Sequence, residues 1–437
     1  MAITPYRSWG FTPAVPVVAH TPAWTDALFE GDGSWLPFGN GRSYGDSCFN
    51  SDGTLIDTRA LDRFIDFDPI TGLLTAEPGV MLATILKLIV PSGWFLAVTP
   101  GTSFVTLGGA IANDVHGKNH HCDGTFGRYV TRLSLLQSNG EATECSPTSN
   151  SDLYAATIGG LGLTGFIANA TIQLIPIRSS YLDVRIDTFY GLKEFQTLSS
   201  DRATEHRYTV AWLDCAASGG DFARGVLLSA NHADYPPLSE EFIDLSPRHG
   251  VPFNLPPWLL NRYSVRAFNS LYFYRHRQMN GKSVRQHFKP FFYPLDAIDQ
   301  WNRIYGARGF HQYQFVLPYD ALEALEEILR RIVQSGLGSF LAVLKEFGDI
   351  QSPGLLSFPR SGFCLALDFA ARGETTVRLI EAIDREVRDA GGAAYPAKDR
   401  LMNEESFKCY YPAWEEFSNF VDPRFQSDFW SRVNGRA

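Results

Sequence analysis

The stretch Gly39-Asn40-Gly41-Arg42-Ser43-Tyr44-Gly45-Asp46 decides how this chain reads. It follows an apolar run, Trp35 to Phe38, and precedes a short β-type run, Leu55-Ile56-Asp57. Its glycines tolerate positive φ and close backbone approach, so successive N–H groups can line a concavity suited to pyrophosphate oxygens. No GK[ST] follows, so it is not a P-loop. No helical stripe opens after it, so it is not a Rossmann fingerprint. Taken alone, a tight structural turn is an equal reading.

Two further clusters extend the pattern. Pro100-Gly101-Thr102 leads through Thr106 to Gly108-Gly109-Ala110 and on to Asn113-Asp114-Val115-His116-Gly117-Lys118-Asn119-His120-His121. Gly159-Gly160-Leu161-Gly162-Leu163-Thr164-Gly165 comes later. Glycine clusters separated by short strands suit one extended ligand gripped mainly by backbone, and a dinucleotide has the right size. His116, His120 and His121 are not expected to bind a metal, because Gly117 disfavours the helix that would align them and no third-ligand pattern accompanies them. Polar residues holding a loop together are the alternative for this run.

Outward from these clusters, residues 35–178 are glycine-dense with short β-type runs and one helix expected over Met81 to Val90. Residues 245–295 carry eight Arg or Lys, no Asp or Glu, and eleven aromatics. That composition suits an anionic amphiphile or a solvated cover loop. Residues 310–395 read strand–helix–strand–strand–helix–strand. Asp320 caps a helix striped by Leu322, Leu325, Leu329 and Ile332, with pairs Glu326→Arg330 and Glu327→Arg331 at i,i+4. Val377, Ile380, Ile383 and Val387 stripe the second helix, and the order is a split βαβ, ferredoxin-like unit.

The chain has 437 residues, about three domains' worth by length. At 45% hydrophobic and 19% charged it is neither disordered nor fibrous. A net charge of −9 argues against a nucleic-acid partner. Six cysteines spread singly suggest neither a disulfide framework nor a thiolate metal site. The N-terminus has no secretory pattern, and the apolar run Val80 to Val90 is too short to span a bilayer. A cytoplasmic protein, touching the inner face of a membrane at most peripherally, is the expectation.

The three glycine clusters and the Ala397-Lys398-Asp399 run together resemble the vanillyl-alcohol-oxidase/p-cresol-methylhydroxylase superfamily of FAD-linked oxidases, over about Trp9 to Asp428. Within it the wording is similar to the branch that oxidises the 2-hydroxyl of a polyprenyl-phosphoryl ribose to the 2-keto sugar, the first half of an epimerisation to arabinose used in cell-wall synthesis. The resemblance implies an α+β protein: a two-subdomain FAD-binding domain over 1–178, completed by 393–437, and a substrate domain over 179–392 with an antiparallel sheet. Gly39 to Asp46 would hold the pyrophosphate. Gly101, Thr102, Thr106, Gly108, Gly109, Asn113 and His116 would line the ribityl chain and ring, and Gly165, Ile167 and Tyr395 would complete the cofactor site.

The resemblance further implies Tyr44, Gln312, Gln314, Lys345, Cys364 and Lys398 as substrate residues. Period-two spacing puts Gln312 and Gln314 on one strand face, where an exposed edge strand is the alternative. Lys345 could equally snorkel to solvent, and Cys364 could be an ordinary buried thiol. Lys398, His116 and Lys118 are the candidates for the charge and the base that alcohol oxidation needs. Where many superfamily members carry a flavin-linked His this chain has Arg42, so non-covalent FAD is expected. Two departures, Gly362 for an expected Asn and Asn113 for a Cys, touch the pocket. The implied partners are a sugar or polyprenyl-phosphoryl sugar substrate, a short-chain keto-sugar reductase and a membrane surface. A soluble aldonolactone- or alditol-type sugar oxidase, and a non-catalytic flavoprotein of envelope assembly, are the competing readings.

Overall fold

The computed structural model describes residues 2–4, 6–11, 17–25, 28–29, 33–236, 238 and 244–435. The first sheet has β1 (Ala2–Thr4), β2 (Val17–His20), β3 (Trp35–Phe38) and β4 (Thr54–Asp57) in the order β1-β2-β4-β3, with β2 and β3 parallel to β4. Leu36, Leu55 and Ile56 are wholly buried, as residues of a sheet covered on both faces should be. A second, antiparallel sheet follows from β5 (Phe64–Asp68), β6 (Leu73–Ala76), β7 (Trp94–Leu96), β8 (Val130–Leu136), β9 (Ala142–Cys145) and β10 (Phe166–Pro176). The eleven-residue β10 is its spine, pairing β6 on one side and β8 on the other. Helix α1 (Leu82–Ile89), one residue shorter at each end than the sequence suggests, buries Leu82, Ile85, Leu86 and Ile89 beneath it. The helices α2 (Leu107–Ala112), α3 (His120–Asp123) and α4 (Ser151–Thr157) complete this half.

The third sheet has eight strands. In chain order its elements are β11 (Tyr181–Tyr190), α5 (Leu192–Glu205), β12 (Tyr208–Leu213), β13 (Arg224–His232), α6 (Arg262–Arg277) and β15 (Lys282–His287), then β17 (Phe310–Leu317), α8 (Leu322–Ser335), β18 (Ala342–Phe347), β19 (Gly362–Ala370), α9 (Glu374–Asp389) and β20 (Ala393–Ala394). A two-residue pair, β14 (His249–Gly250) with β16 (Ile298–Asp299), and a short α7 (Phe288–Phe292) lie in the connections. The strand order is β15-β11-β13-β12-β18-β19-β17-β20. Read from each end, both halves run fourth, first, third, second strand of a βαββαβ unit, and β12 pairs antiparallel with β18 where the two units meet. The ferredoxin-like layer expected over 310–395 is therefore present twice.

The second copy lies partly where the sequence suggested a cover loop. Helix α6 and strand β15 fall inside 245–295, and β15 pairs with β11 along Tyr181 to Ile186, so much of that segment is sheet and helix. In the unit that was legible, α8 buries Leu325, Ile328, Leu329 and Ile332, and α9 buries Leu379, Ile380, Ile383 and Val387. Asp320 sits in a 3-10 turn and gives α8 no side-chain cap. Glu326 pairs with Arg330 at 2.7 Å as spaced, whereas Arg331 reaches across to Glu386 on α9.

The C-terminal helices α10 (Glu404–Tyr410), α11 (Trp414–Ser418) and α12 (Asp428–Val433) return the chain to the first sheet. Ser51 donates to Asp428, and Arg432 reaches Asp46 and Asp399 at 2.7 and 3.4 Å.

Candidate functional site

A cavity of about 790 Å³ runs between the glycine-rich loops and one face of the third sheet. That volume is within the range of cofactor sites, roughly 300–1,000 Å³. One end is walled by backbone. Gly39 abuts Thr106, where an added Cβ would come 2.4 Å from Oγ1, and Thr106 in turn caps α2 by accepting from Gly109 N. Asn40 donates to the Phe104 carbonyl oxygen at 2.8 Å, Asn113 to that of Gly109 at 2.9 Å, and the Tyr395 hydroxyl to that of Asn113 at 2.7 Å. Gly41 has φ +59°, which its position requires. A Cβ at Gly101 would meet nothing within 4 Å, so this stretch of wall offers free surface to a ligand.

Four cations line the same cavity: Arg42, Lys118, Lys345 and Lys398. Among the described residues none of them has a carboxylate within 4 Å. Arg42 stacks 3.9 Å over Trp9, with its Nε buried and, among the described residues, without a hydrogen-bond partner. Lys118 donates to the Phe292 carbonyl oxygen at 2.9 Å. Lys398 lies 4.0 Å over the Tyr44 ring. Burial holds Lys118 well below the usual lysine range, with Lys345 adding repulsion, and burial lowers Lys345 too. Burial likewise pushes Lys398 down to about 7, partly opposed by the Asp368 charge. Desolvated cations of this kind demand an anionic guest.

Strands β17, β18 and β19 present the polar floor. Gln314 Nε2 lies 2.7 Å from His116 Nε2 and donates to Cys364 Sγ at 3.2 Å. His116 sits among Phe347, Phe358 and Tyr395, and burial drives it well below the ordinary histidine value, so it is neutral. His121 is instead directed at the His206 carbonyl oxygen, so the neighbouring histidines serve separate partners. Farther along, the floor turns apolar and aromatic. Phe340, Phe268, Tyr272 and Trp212 follow one another with ring centroids 5.8, 6.3 and 4.6 Å apart, and Tyr305 stacks on Phe340 from outside the lining. Val210, Leu228, Val343 and Val265 fill the gaps between sheet and α6.

Of the residues singled out from sequence, Gly39, Asn40, Gly41, Arg42, Ser43, Tyr44, Gly101, Thr102, Thr106, Gly108, Gly109, Asn113, His116, Lys118, Gly165, Ile167, Gln312, Gln314, Lys345, Tyr395 and Lys398 all line this one cavity. Three do not. Gly45 packs on the Asp399 backbone, and Asp46 pairs with Arg432. Cys364 lies under Gln314, and the cavity residue of that strand face is Ala366, two positions on. Gly362 is likewise outside the lining. Trp212, Phe340 and Asp296 were missed, and Tyr272 was reached only as one aromatic of the 245–295 segment.

Comparison with known proteins agrees with this geometry. A family model described as an FAD binding domain matches residues 30–146. Decaprenylphosphoryl-beta-D-ribose oxidase of Mycolicibacterium smegmatis is 36% identical over 447 aligned residues, 97% of this chain and 96% of that protein. The chain belongs to the decaprenylphosphoryl-β-D-ribose oxidase family of FAD-linked oxidases. An uncharacterized Streptomyces coelicolor protein is 32% identical over 81% of this chain and all of its own length. L-gulonolactone oxidase of Bos taurus matches at 33% over only 32% of this chain and 31% of its own.

As a member of this family the protein is an FAD-dependent oxidoreductase. Its residues fit the cofactor: the open wall at Gly101 leaves room for it, and the unneutralised cations suit its phosphates.

Proposed function

We propose that this enzyme oxidises a secondary hydroxyl of a sugar carried on a polyprenyl phosphate, the 2-hydroxyl of a ribose to the 2-keto sugar. One observation carries the reading: the cationic, backbone-lined end of the cavity is continuous with the aromatic arm that runs from Phe340 to Trp212. A free sugar has no use for that arm, which disfavours a soluble lactone-type substrate. In this reading residues 1–178 with 393–437 hold FAD, and 179–392 hold the substrate.

Bound FAD would supply the acceptor for the carbinol hydride. The rest of the chemistry falls to side chains. Lys118 and Lys345 offer their charge to the phosphate, and the aromatic arm takes the first prenyl units. Gln314 fixes His116, which burial keeps neutral, at the cavity wall. Lys398, titrating near neutrality, takes the hydroxyl proton at Nζ. The 2-keto product then calls for a hydride-donating reductase of the short-chain type.

The outer face of α6 supports delivery from a membrane. Tyr263 and Leu271 are 68% and 71% exposed beside Arg262, Arg266, Arg275 and Arg277, and Trp258 at 71% stands just before them. Among the described residues no helix is long and apolar enough to cross a membrane. Contact would be peripheral, at the inner face, and flotation with anionic liposomes at low salt should carry the enzyme. The main test is anaerobic mixing of the yellow enzyme with free pentoses, lactones and prenyl-phosphoryl pentoses. Bleaching by the prenyl-phosphoryl ribose and not by free sugars is expected; bleaching by free lactones alone would refute the reading.

A further inference from the structure

Asp114 stands between Asn113 and His116 in the glycine-rich half, wholly buried and with φ at +39°. Aspartate tolerates the left-handed region better than most residues, yet it keeps that conformation only where its surroundings hold it. Three donors do so. Gly127 N donates to Oδ1 at 2.8 Å, Ser357 Oγ donates to Oδ2 at 2.5 Å, and Ser352 Oγ donates to Oδ2 as well. The two serine oxygens are 2.7 Å apart, and Thr125 Oγ1 donates to that of Ser352 at 3.2 Å. Bonds to an ionised acceptor are stronger than those between neutral groups. Burial pushes the Asp114 carboxyl up, and the three donors oppose it.

Both serines come from the third sheet's side of the molecule, in the loop that joins β18 to β19. That loop lies on the glycine-rich half. Arg128 Nη1 donates to the Gln351 carbonyl oxygen at 3.0 Å, and Leu355 N to that of Ala155 at 3.0 Å. Its two ends enclose His116. Phe347, at the end of β18, has its ring centroid 4.8 Å from that of His116. Phe358, at the far end of the loop, is 5.9 Å from it and stacks on Tyr395 at 4.8 Å. His116 itself reaches across the cavity wall to Gln314 at 2.7 Å, and Lys345, two residues before Phe347, lines the same cavity. One carboxylate therefore fixes the backbone that aims His116 and the loop that boxes it in. Asp114 does not line the cavity, so any effect it has on the reaction passes through these neighbours.

We propose that Asp114 is a positioning residue for the alcohol oxidation: by clasping Ser352 and Ser357 it joins the two halves where His116 stands, and so sets the gap between the cofactor wall and the polar floor. With the clasp closed, His116 is held against Gln314, and the end of β18 that carries Lys345 is held against the glycine-rich loops. With it open, the β18–β19 loop is freed at its centre, His116 loses its enclosing rings, and the substrate hydroxyl is no longer held at one distance from Lys398 Nζ. The inference rests on the proposed hydroxyl oxidation at this cavity and on the proposed division of the chain into cofactor and substrate halves.

The double variant Ser352→Ala/Ser357→Ala opens the clasp from the loop side and leaves the glycine-rich sequence untouched, so FAD affinity should be unchanged. Two readouts test it. In the carbon–proton NMR spectrum of the FAD-loaded enzyme with ring-labelled histidine and no substrate, the His116 signal, identified by its loss in His116→Gln, should leave its ring-shifted wild-type position. Flavin reduction at saturating prenyl-phosphoryl sugar should slow by about 10-fold or more with KM unchanged, since a small misplacement of positioned groups can cost that much. Asp114→Gly suits the same backbone angle and should show both changes; should it fail to load FAD, the serine variant carries the test. A His116 signal that stays in place in the serine variant, reduction at the wild-type rate, or a rise in KM with kcat unchanged overturns the proposal. A panel of sugars that fails to bleach the wild type would refute the proposed function, and the NMR comparison, which needs no turnover, would still decide whether the clasp holds His116.

Discussion

Replacing Lys398 by Met should stabilise the fold and abolish turnover together. Lys398 falls from an ordinary 10.5 to about 7 because burial disfavours its charge more than Asp368 favours it. The unfolded chain therefore binds more protons than the folded one between those two values, and stability rises with pH across that window. At about 1.4 kcal/mol per unit, keeping this lysine costs the fold about 5 kcal/mol below pH 6, about 4 at pH 7 and under about 1 above pH 10. Methionine has nearly the same length and no charge, but it forfeits the contact with the Tyr44 ring, worth about 1–2 kcal/mol. The net gain at pH 7 is then about 2–3 kcal/mol, vanishing near pH 10. Equilibrium unfolding with FAD in fixed excess, corrected for any change in FAD dissociation constant, measures it. Flavin reduction by substrate should fall by at least about 100-fold. Loss of stability at pH 7, a gain that does not decline with pH, or retained reduction would each refute the assignment of Lys398 as a desolvated base.

Other outcomes follow from the same geometry. Trp212→Ala, which removes the far end of the aromatic arm, should lower kcat/KM for a prenyl-phosphoryl sugar by about 10- to 100-fold, from about 1.5–3 kcal/mol of lost contact, and should leave any free-sugar activity almost unchanged. Acid precipitation should leave the pellet colourless, because Arg42 cannot form the flavin bond of histidine-linked relatives; a yellow pellet contradicts non-covalent binding. Arg432→Leu should cost about 3–5 kcal/mol in denaturant unfolding at neutral pH, since Asp46 and Asp399 lose their counter-ion. Burial already pushes Asp399 up to about 6, so the loss should shrink as that carboxyl protonates below this value. A pH-independent loss would show that charge is not the cause.

The glycine loops and the unit over 310–395 were legible because their signals are local. Backbone lining of a ligand needs glycine at fixed places, and all but the first residue of each stripe, Leu322 on α8 and Val377 on α9, are buried by those helices. The first βαββαβ unit was not legible for a related reason. Helix α6 turns Val265 and Phe273 inward yet keeps Tyr263, Leu271 and Tyr274 in solvent, so its hydrophobic pattern wraps the helix and blurs the 3.6-residue period. Its two units share a strand order and no motif, which only pairing reveals. Within the site, Gln312 and Gln314 followed from strand alternation. The same alternation, carried along β19, leads from Cys364 through Ala366 to Asp368, but which of the three reaches the cavity depends on packing against β17 and Tyr305. Trp212 belongs to a strand whose neighbour β18 is 130 residues away, and nothing local announces that contact.

The most direct check on the account is a single-turnover reaction of the FAD-loaded enzyme, without oxygen, with prenyl-phosphoryl ribose carrying deuterium at C2. The account predicts one equivalent of 2-keto sugar per flavin bleached and markedly slower bleaching than with the protiated sugar. Bleaching that yields no keto sugar, or keto sugar formed with label still on the substrate carbon, would contradict oxidation of that hydroxyl at this cavity.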